Sequence, residues 1–318
     1  MNLDNLNVVK DLKIVYMGTP HFSAVVLEGL NKKYKVRAVV SQPDRPTGRN
    51  GLVNKTPVKE VANDNTILVI QPDKIKNAVD EILAFEPDII ITCAYGQLIP
   101  KALLDAPRLG CINVHASLLP KLRGGAPIHR AILEGHSKTG ITIMYMSEAM
   151  DAGDIISQKE IIIDKLDTAS SLHDKLAVLG RDLLLETLPS IIEGTNKRTK
   201  QNTNEVTYGF NIKREDEKID FNKTNREIYN HVRGLYSWPG SYSTLEGKIL
   251  KIWACYATEN NFQGVYPGTI TNIYADGFGV KTGNGEVIVT SVQLEGKKRM
   301  SGSDFANGYQ GLVGKILL

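Results

Sequence analysis

Cysteine is scarce in this chain: Cys93, Cys111 and Cys255 are the only three among 318 residues. They are odd in number and form no C-x-x-C pair, so neither a disulfide framework nor a zinc site is indicated. A strong charge of one sign is also lacking. The formal net charge is +3, which permits a polyanionic partner without arguing for one. No stretch reaches the roughly 20 apolar residues that a membrane span needs. The first twelve residues, MNLDNLNVVKDL, hold no continuous apolar signal core. These absences lead to the expectation of a cytoplasmic protein with no membrane contact. The loop MGTPHFS has Gly18 followed by Pro20 and none of the further glycines of a dinucleotide site, which counts against a dehydrogenase. It reads as a tight strand-to-helix turn whose glycine also lets a ligand approach closely.

What is present is an alternating pattern. Apolar, β-branched runs at 13–17, 35–40, 67–70, 88–94 and 111–115 are separated by helical stretches such as FSAVVLEGLNKK and KNAVDEILAFE. Alternation of this kind predicts a parallel sheet covered by helices, with its ligand crevice outside the carboxyl ends of the strands. APIHRAILEG then reads as a short helix, GITIMYM and DIISQKEIII as two strands joined by SEAMDAG, and 170–194 as a long amphipathic helix behind capping candidates Thr168 and Ser170. The polar stretch 194–209 has no apolar periodicity and reads as a linker. Beyond it, short strand candidates with glycine turns, such as GVYPGTI and GFGVKTGNGEVIVTSV, suggest a small antiparallel barrel.

The chemistry-bearing residues sit at the end of one strand. Asn113 and His115, at i and i+2 of CINVH, point to the same face, followed by a stiff S-L-L-P turn. A carboxylate loop, MDAGD with Asp151 and Asp154, comes from the next strand pair. A buried, self-satisfied polar pair is the competing reading. An amide donor, an imidazole and a carboxylate suit an acyl transfer in which the substrate's own amine attacks, with no protein nucleophile.

The segments CINVHASLLPKLRGGAPIHRAI, AYGQLIP (94–100), MDAGD (150–154), QPDRPTGR (42–49), YSWPGS (236–241) and GKKRM (296–300) together resemble the methionyl-tRNA formyltransferase family over essentially the whole chain. That resemblance implies an α/β, Rossmann-like formyltransferase domain over 1–195, a linker over 196–208 and an OB-like antiparallel β-barrel contacting tRNA over 209–318. It implies a one-carbon transferase acting in translation initiation, with 10-formyltetrahydrofolate as formyl donor and methionyl initiator tRNA as acceptor. The family's catalytic triplet falls on Asn113, His115 and Asp151. Its folate pocket falls on Tyr95, Gly96, Gln97, Leu98 and Ile99 together with Ser117, Leu118, Leu119 and Pro120. Arg49 is implied in the tRNA acceptor stem, although GRNGLVNK here replaces the GRGKKL of many relatives. The second domain is only slightly basic overall, so any tRNA surface there has to come from arrangement, such as Lys297, Lys298 and Arg299 on one turn, with a solvated charge run as the competing reading.

No metal is expected: His21, His129, His136, His173 and His231 fall in no metal-ligand spacing and read as surface or capping groups. Two rival functions share the pattern. One is formylation of an amino sugar nucleotide, against which the QPDRPTGR loop argues. The other is a non-catalytic RNA-binding relative, against which all three polar catalytic positions argue.

Overall fold

The structure is a computed structural model that describes residues 12–47 and 52–318. The chain divides into two compact units that are not contiguous in sequence. One comprises Met1–Pro127, Lys138–Ile162 and His173–Phe210, the other Ile128–Ser137, Ile163–Leu172 and Asn211–Leu318. No helix among the described residues is long and apolar enough to cross a membrane.

The first unit begins β1 (Ile14–Gly18), α1 (His21–Lys33), β2 (Val36–Val40), then the hairpin strands β3 (Arg45–Thr47) and β4 (Leu52–Asn54). It continues α2 (Pro57–Asp64), β5 (Leu68–Ile70), α3 (Val79–Leu83), β6 (Ile89–Cys93), α4 (Lys101–Asp105) and β7 (Cys111–His115). After α5 (Pro127–Leu133), whose residues from Ile128 belong to the second unit, come β8 (Lys138–Tyr145), β9 (Ile155–Ile162) and the long α6 (Ala169–Ile192), which belongs to the first unit from His173 onward. Seven strands form one sheet in the order β5-β2-β1-β6-β7-β8-β9. The five strands expected from apolar runs pair in parallel, and both faces of β1 and β6 are buried, as continuous β-branched runs require. The sheet departs from an all-parallel one at β8 and β9, which are antiparallel. The short SEAMDAG connection allows only a reversal, because a parallel crossover needs a dozen or more residues.

Strand order reverses between β1 and β6, so a crevice forms at their carboxyl ends. Under the sheet, Val15, Met17, Ile90, Leu103 and neighbours make one buried cluster. Truncating Ile90 to alanine there would cost about 2–5 kcal/mol. Gly18 leaves no room for a side chain: a Cβ on it would lie 1.7 Å from Ser23 Oγ and 2.9 Å from the Cys93 carbonyl oxygen. At the start of α6, Thr168 Oγ1 accepts from the Ser171 amide, whereas Ser170 lies inside the helix.

In the second unit, α7 (Asn225–Gly234) opens on a Thr224/Glu227 capping box. Strands β10 (Ser241–Leu245), β11 (Lys248–Thr258), β12 (Ile270–Tyr274), β13 (Gly277–Lys281), β14 (Glu286–Leu294) and β15 (Met300–Ser301) follow, then α8 (Gly302–Asn307). All pairs are antiparallel, in the order β10-β11-β14-β13-β12 with β15 on β14. The chain's last residues join the two ends of that order. Leu317 bridges Leu245 beside β10, and Ile316 bridges Thr269 beside β12, which closes the sheet into the OB-like barrel and leaves no long free edge. The strand expected within 264–270 starts only at Ile270. A core of Phe278, Val280, Val289, Ile252 and Phe305 fills the interior. Arg233 donates to the carbonyls of Asp164 and Asp167, tying residues 163–172 into this unit.

Candidate active site

The register of three strands assembles one polar face on an otherwise apolar sheet. Thr92 of β6 pairs with Asn113 of β7, and His115 pairs with Thr142 of β8, so all four side chains share that face. Thr92 Oγ1 lies 2.9 Å from Asn113 Oδ1. The one hydroxyl proton faces three acceptors, Asn113 Oδ1, the Ile112 carbonyl oxygen and Met146 Sδ, the last two at 3.1 Å; with the amide oxygen turned toward Thr92, the Asn113 Nδ2 protons are left for another acceptor. Thr92 was legible only as a hydroxyl inside the apolar run DIIITCA.

His115 is 6% exposed, and each ring nitrogen has one protein neighbour. Nε2 is 3.1 Å from the Leu122 carbonyl oxygen. A carbonyl only accepts, so Nε2 carries the proton and the tautomer is set. Nδ1 lies 3.6 Å from Asp151 Oδ1. The other carboxylate oxygen, Asp151 Oδ2, accepts from the Gly124 amide at 2.8 Å.

The backbone that presents Leu122 and Asp151 is unusual. Leu122 has φ +57° and Asp151 φ +49°, the left-handed region that non-glycine residues seldom occupy. Both are held by the stretch expected to be a linker. Thr207 Oγ1 accepts from the Leu122 amide, the Thr207 carbonyl accepts from the Arg123 amide, and Gly209 bonds both Arg123 and Ala126. Gln201 donates to the Asp151 and Gly153 carbonyls and accepts two bonds from the Arg123 guanidinium. Residues 199–209 are thus hydrogen-bonded along the loop of the first unit that carries Leu122 and along the one that carries Asp151. Sequence reading missed Gln201, Thr207 and Arg123, because their work is done across contacts distant in the chain.

The segments expected to hold folate lie at the same end of the sheet. Tyr95 and Ile99 are buried, Gly96 has φ +89°, and Leu98 is 71% exposed. Burial pushes the Tyr95 hydroxyl up to about 12, and that hydroxyl has no hydrogen-bond partner among the described residues. Gln97 is committed: its carbonyl accepts from the Ile75 amide and its amide group reaches Gln42 and the Asp73 carbonyl. The Ser117 hydroxyl donates to the Lys121 carbonyl at 2.6 Å. Thr142 Oγ1 donates to the Ser117 carbonyl and accepts from the Leu119 amide, and Gln158 donates to the Leu119 carbonyl. The half-buried Leu118 and Pro120 complete the turn, with a cis Leu119–Pro120 bond.

Among the described residues, none near this face is poised as a protein nucleophile. Burial pushes the Cys93 thiol up to about 12 and the Cys111 thiol higher still, and thiols, unlike thiolates, are poor nucleophiles. The Ser117 hydroxyl is engaged as a hydrogen-bond donor to the Lys121 carbonyl, with no base among its hydrogen-bond partners to accept its proton. The arrangement suits direct attack by a substrate amine, with Asn113 available to an oxyanion and the His115–Asp151 pair beside the path of a proton.

Arg49, Asn50 and Gly51 lie outside the described residues; the flanking strands pair Arg45 with Asn54 and Thr47 with Leu52. In the second unit, Lys297, Lys298 and Arg299 are exposed in the turn between β14 and β15. Arg299 is further engaged, its guanidinium 5.5 Å from the Tyr236 ring and 5.4 Å from the Trp253 ring. Among the remaining histidines, His129 Nδ1 lies 2.8 Å from the Gly234 carbonyl at the end of α7, a capping role. His231 is an interior group instead: Nε2 bonds the Asp216 carbonyl, and Nδ1 is buried without a partner among the described residues.

Comparison with known proteins places the chain in a family. Residues 12–188 match the formyl transferase family and residues 211–310 the formyl transferase C-terminal domain. The chain is 50% identical over 301 residues to methionyl-tRNA formyltransferase of Geobacillus sp. (strain WCH70), covering 93% of this chain and 94% of that one. It is 51% identical over 312 residues to the Bacillus cytotoxicus enzyme of the same name, covering 96% and 98%. Among solved structures, an N-formyltransferase from Helicobacter canadensis in complex with folinic acid and dTDP-3-aminofucose superposes with TM-score 0.67 at 22% identity, covering 87% of this chain and 98% of that one. At that identity the likeness shows the shared fold.

Proposed function

The chain belongs to the methionyl-tRNA formyltransferase family, and on that premise we propose that Asn113, His115 and Asp151 carry out the family's reaction here: transfer of the formyl group of 10-formyltetrahydrofolate to the α-amino group of methionyl initiator tRNA. The amine nitrogen bonds to the formyl carbon, whose oxygen gains negative charge. The Asn113 Nδ2 protons, turned outward because Thr92 occupies the amide oxygen, meet that charge. The His115 Nε2 proton is held by the Leu122 carbonyl, which fixes the ring and its tautomer. Nδ1 is the ring atom left to take the proton shed by the amine, and the Asp151 carboxylate 3.6 Å away holds the resulting imidazolium. The carbon–N10 bond then breaks, its electron pair staying on the folate nitrogen, which receives the proton.

The observation that carries this reading is the joint placement of Asn113, His115 and Asp151 at the carboxyl end of the sheet, with no competent protein nucleophile beside them among the described residues. Folate is assigned to Tyr95–Ile99 and Ser117–Pro120, where apolar walls alternate with backbone groups. Arg49 and the exposed Lys297, Lys298 and Arg299 are assigned to the tRNA, as cations that meet phosphate. A role in translation initiation carries a cytoplasmic location with it. Incubation with 10-formyltetrahydrofolate and either methionyl initiator tRNA or amino sugar nucleotides tests the reading: formylation of the tRNA alone supports it, and formylation of the sugar amine overturns it.

A further inference from the structure

A second cluster of ligand-type side chains lies on the first unit, apart from the catalytic triplet. His21 opens α1, and His173 and Asp174 lie near the start of α6. One ligand atom from each residue lies within 4.8 Å of the other two. The His173 Nδ1 to Asp174 Oδ1 distance is 3.3 Å, and the two imidazoles face each other with centroids 6.2 Å apart and planes 26° from parallel. Their sequence separation hides the cluster from any spacing rule.

We propose that His21, His173 and Asp174 form a site for a borderline-soft divalent cation of the zinc type, which bridges α1 to α6. Two imidazoles with one carboxylate are a donor set that suits Zn²⁺ and its neighbours and leaves a fourth position for water. For tetrahedral Zn²⁺ the ligand atoms must draw in to about 3.3 Å from one another, given metal–ligand distances of about 2.0–2.1 Å. The His173–Asp174 pair already has that spacing. The His21 ring has to move by about an ångström, which an exposed side chain on a helix end does by a small rotamer change. That ring is free to do so, since it stacks on His173 and has no hydrogen-bond partner among the described residues. His173 is steadied by the edge of the buried Phe22 ring, 5.5 Å away.

The bridge would act on the packing behind the reaction centre. A Cβ built on Gly180 of α6 would lie 3.1 Å from Val114 and 3.6 Å from the Phe22 ring. Val114 is the residue between Asn113 and His115. Bound metal therefore pins two helices that meet over this strand, and its expected effect is on stability, through preferential binding to the folded chain.

The test uses tag-free, chelator-treated full-length protein with ZnCl₂ as the probe, read by calorimetric titration and by thermal melting, and with Co²⁺ absorption as a coordination signature. The wild type should bind one equivalent and melt at higher temperature with Zn²⁺. His21→Ala and His173→Gln should each weaken binding by about 10²-fold or more, since even outer-sphere changes cost 10–100-fold, and should abolish the melting shift. His136→Ala should leave both unchanged. His21 is exposed, so its variant keeps the fold and the comparison stays informative. Absence of stoichiometric binding in the wild type, or wild-type affinity in both cluster variants, would overturn the proposal.

Discussion

His115 Nδ1 and Asp151 Oδ1 stand 3.6 Å apart, beyond hydrogen-bond length yet well inside the range where opposite charges attract. The gap is set by backbone: Asp151 is held at φ +49°, with its second oxygen bonded to the Gly124 amide. Asn tolerates the left-handed region, and its carbonyl oxygen can accept that same bond. Asp151→Asn therefore removes charge with little change of shape. Turnover should fall by about 10²–10⁴-fold, the scale seen when a carboxylate behind a catalytic histidine is neutralised, while the melting temperature moves little. Steady-state kinetics beside a melting curve checks this; full turnover would reduce Asp151 to a turn residue.

Asn113→Ala should lower kcat by about 10²-fold or more, the usual cost of one oxyanion donor, with the KM for folate nearly unchanged. Thr92→Val should give a smaller loss of kcat in the same direction, because it frees the Asn113 amide to turn without removing it. Equal kcat in wild type and Thr92→Val would show that the Thr92 hydroxyl does not position the amide.

His231 gives a pH dependence of stability. Burial lowers its pKa below the ordinary 6.5, and its Nδ1 has no partner among the described residues to welcome a proton. The unfolded chain binds that proton more readily than the folded one, so the stability contribution is present above about pH 6.5 and is lost as pH falls below it. His231→Gln should flatten the melting-temperature profile between about pH 7 and 5 relative to wild type. An unchanged slope would mean that other groups set the acid limit.

The proposed tRNA surface predicts a salt dependence. Apparent affinity for methionyl-tRNA should fall linearly with log salt concentration, and Lys297→Ala or Lys298→Ala should each reduce the magnitude of that slope by about one where the lysine meets a phosphate. Arg49→Ala should weaken use of the tRNA while leaving the folate KM in place. Competition binding across a salt series distinguishes these from a solvated charge run, for which the slope would not change.

Much of this site was legible in the sequence, for identifiable reasons. Continuous runs such as IIITC could only be strands buried on both faces, and the i, i+2 spacing put Asn113 and His115 on one face. The MDAGD loop was legible as a carboxylate source, but the choice of Asp151 over Asp154 needed the family resemblance, because nothing local says which carboxylate after SEAM reaches a histidine on another strand. Gln201 and Thr207 stayed hidden because residues 196–208 are polar and aperiodic. That composition reads as linker, yet a segment lying along the Leu122–Ala126 loop needs just such polar groups to satisfy its hydrogen bonds. The His21–His173–Asp174 cluster was hidden by separation alone, and spacing rules see only neighbours.

The central claim is direct transfer from folate to the methionyl amine, without a formylated protein. Single-turnover incubation of the enzyme with formyl-labelled 10-formyltetrahydrofolate and methionyl initiator tRNA, quenched at successive times and separated, tests it most directly. The account predicts that label appears on the tRNA-borne methionine at the rate it leaves the folate, with none on the protein at any time. A labelled protein species that rises and decays before the product, or label that reaches only an amino sugar acceptor when one is offered, would contradict it.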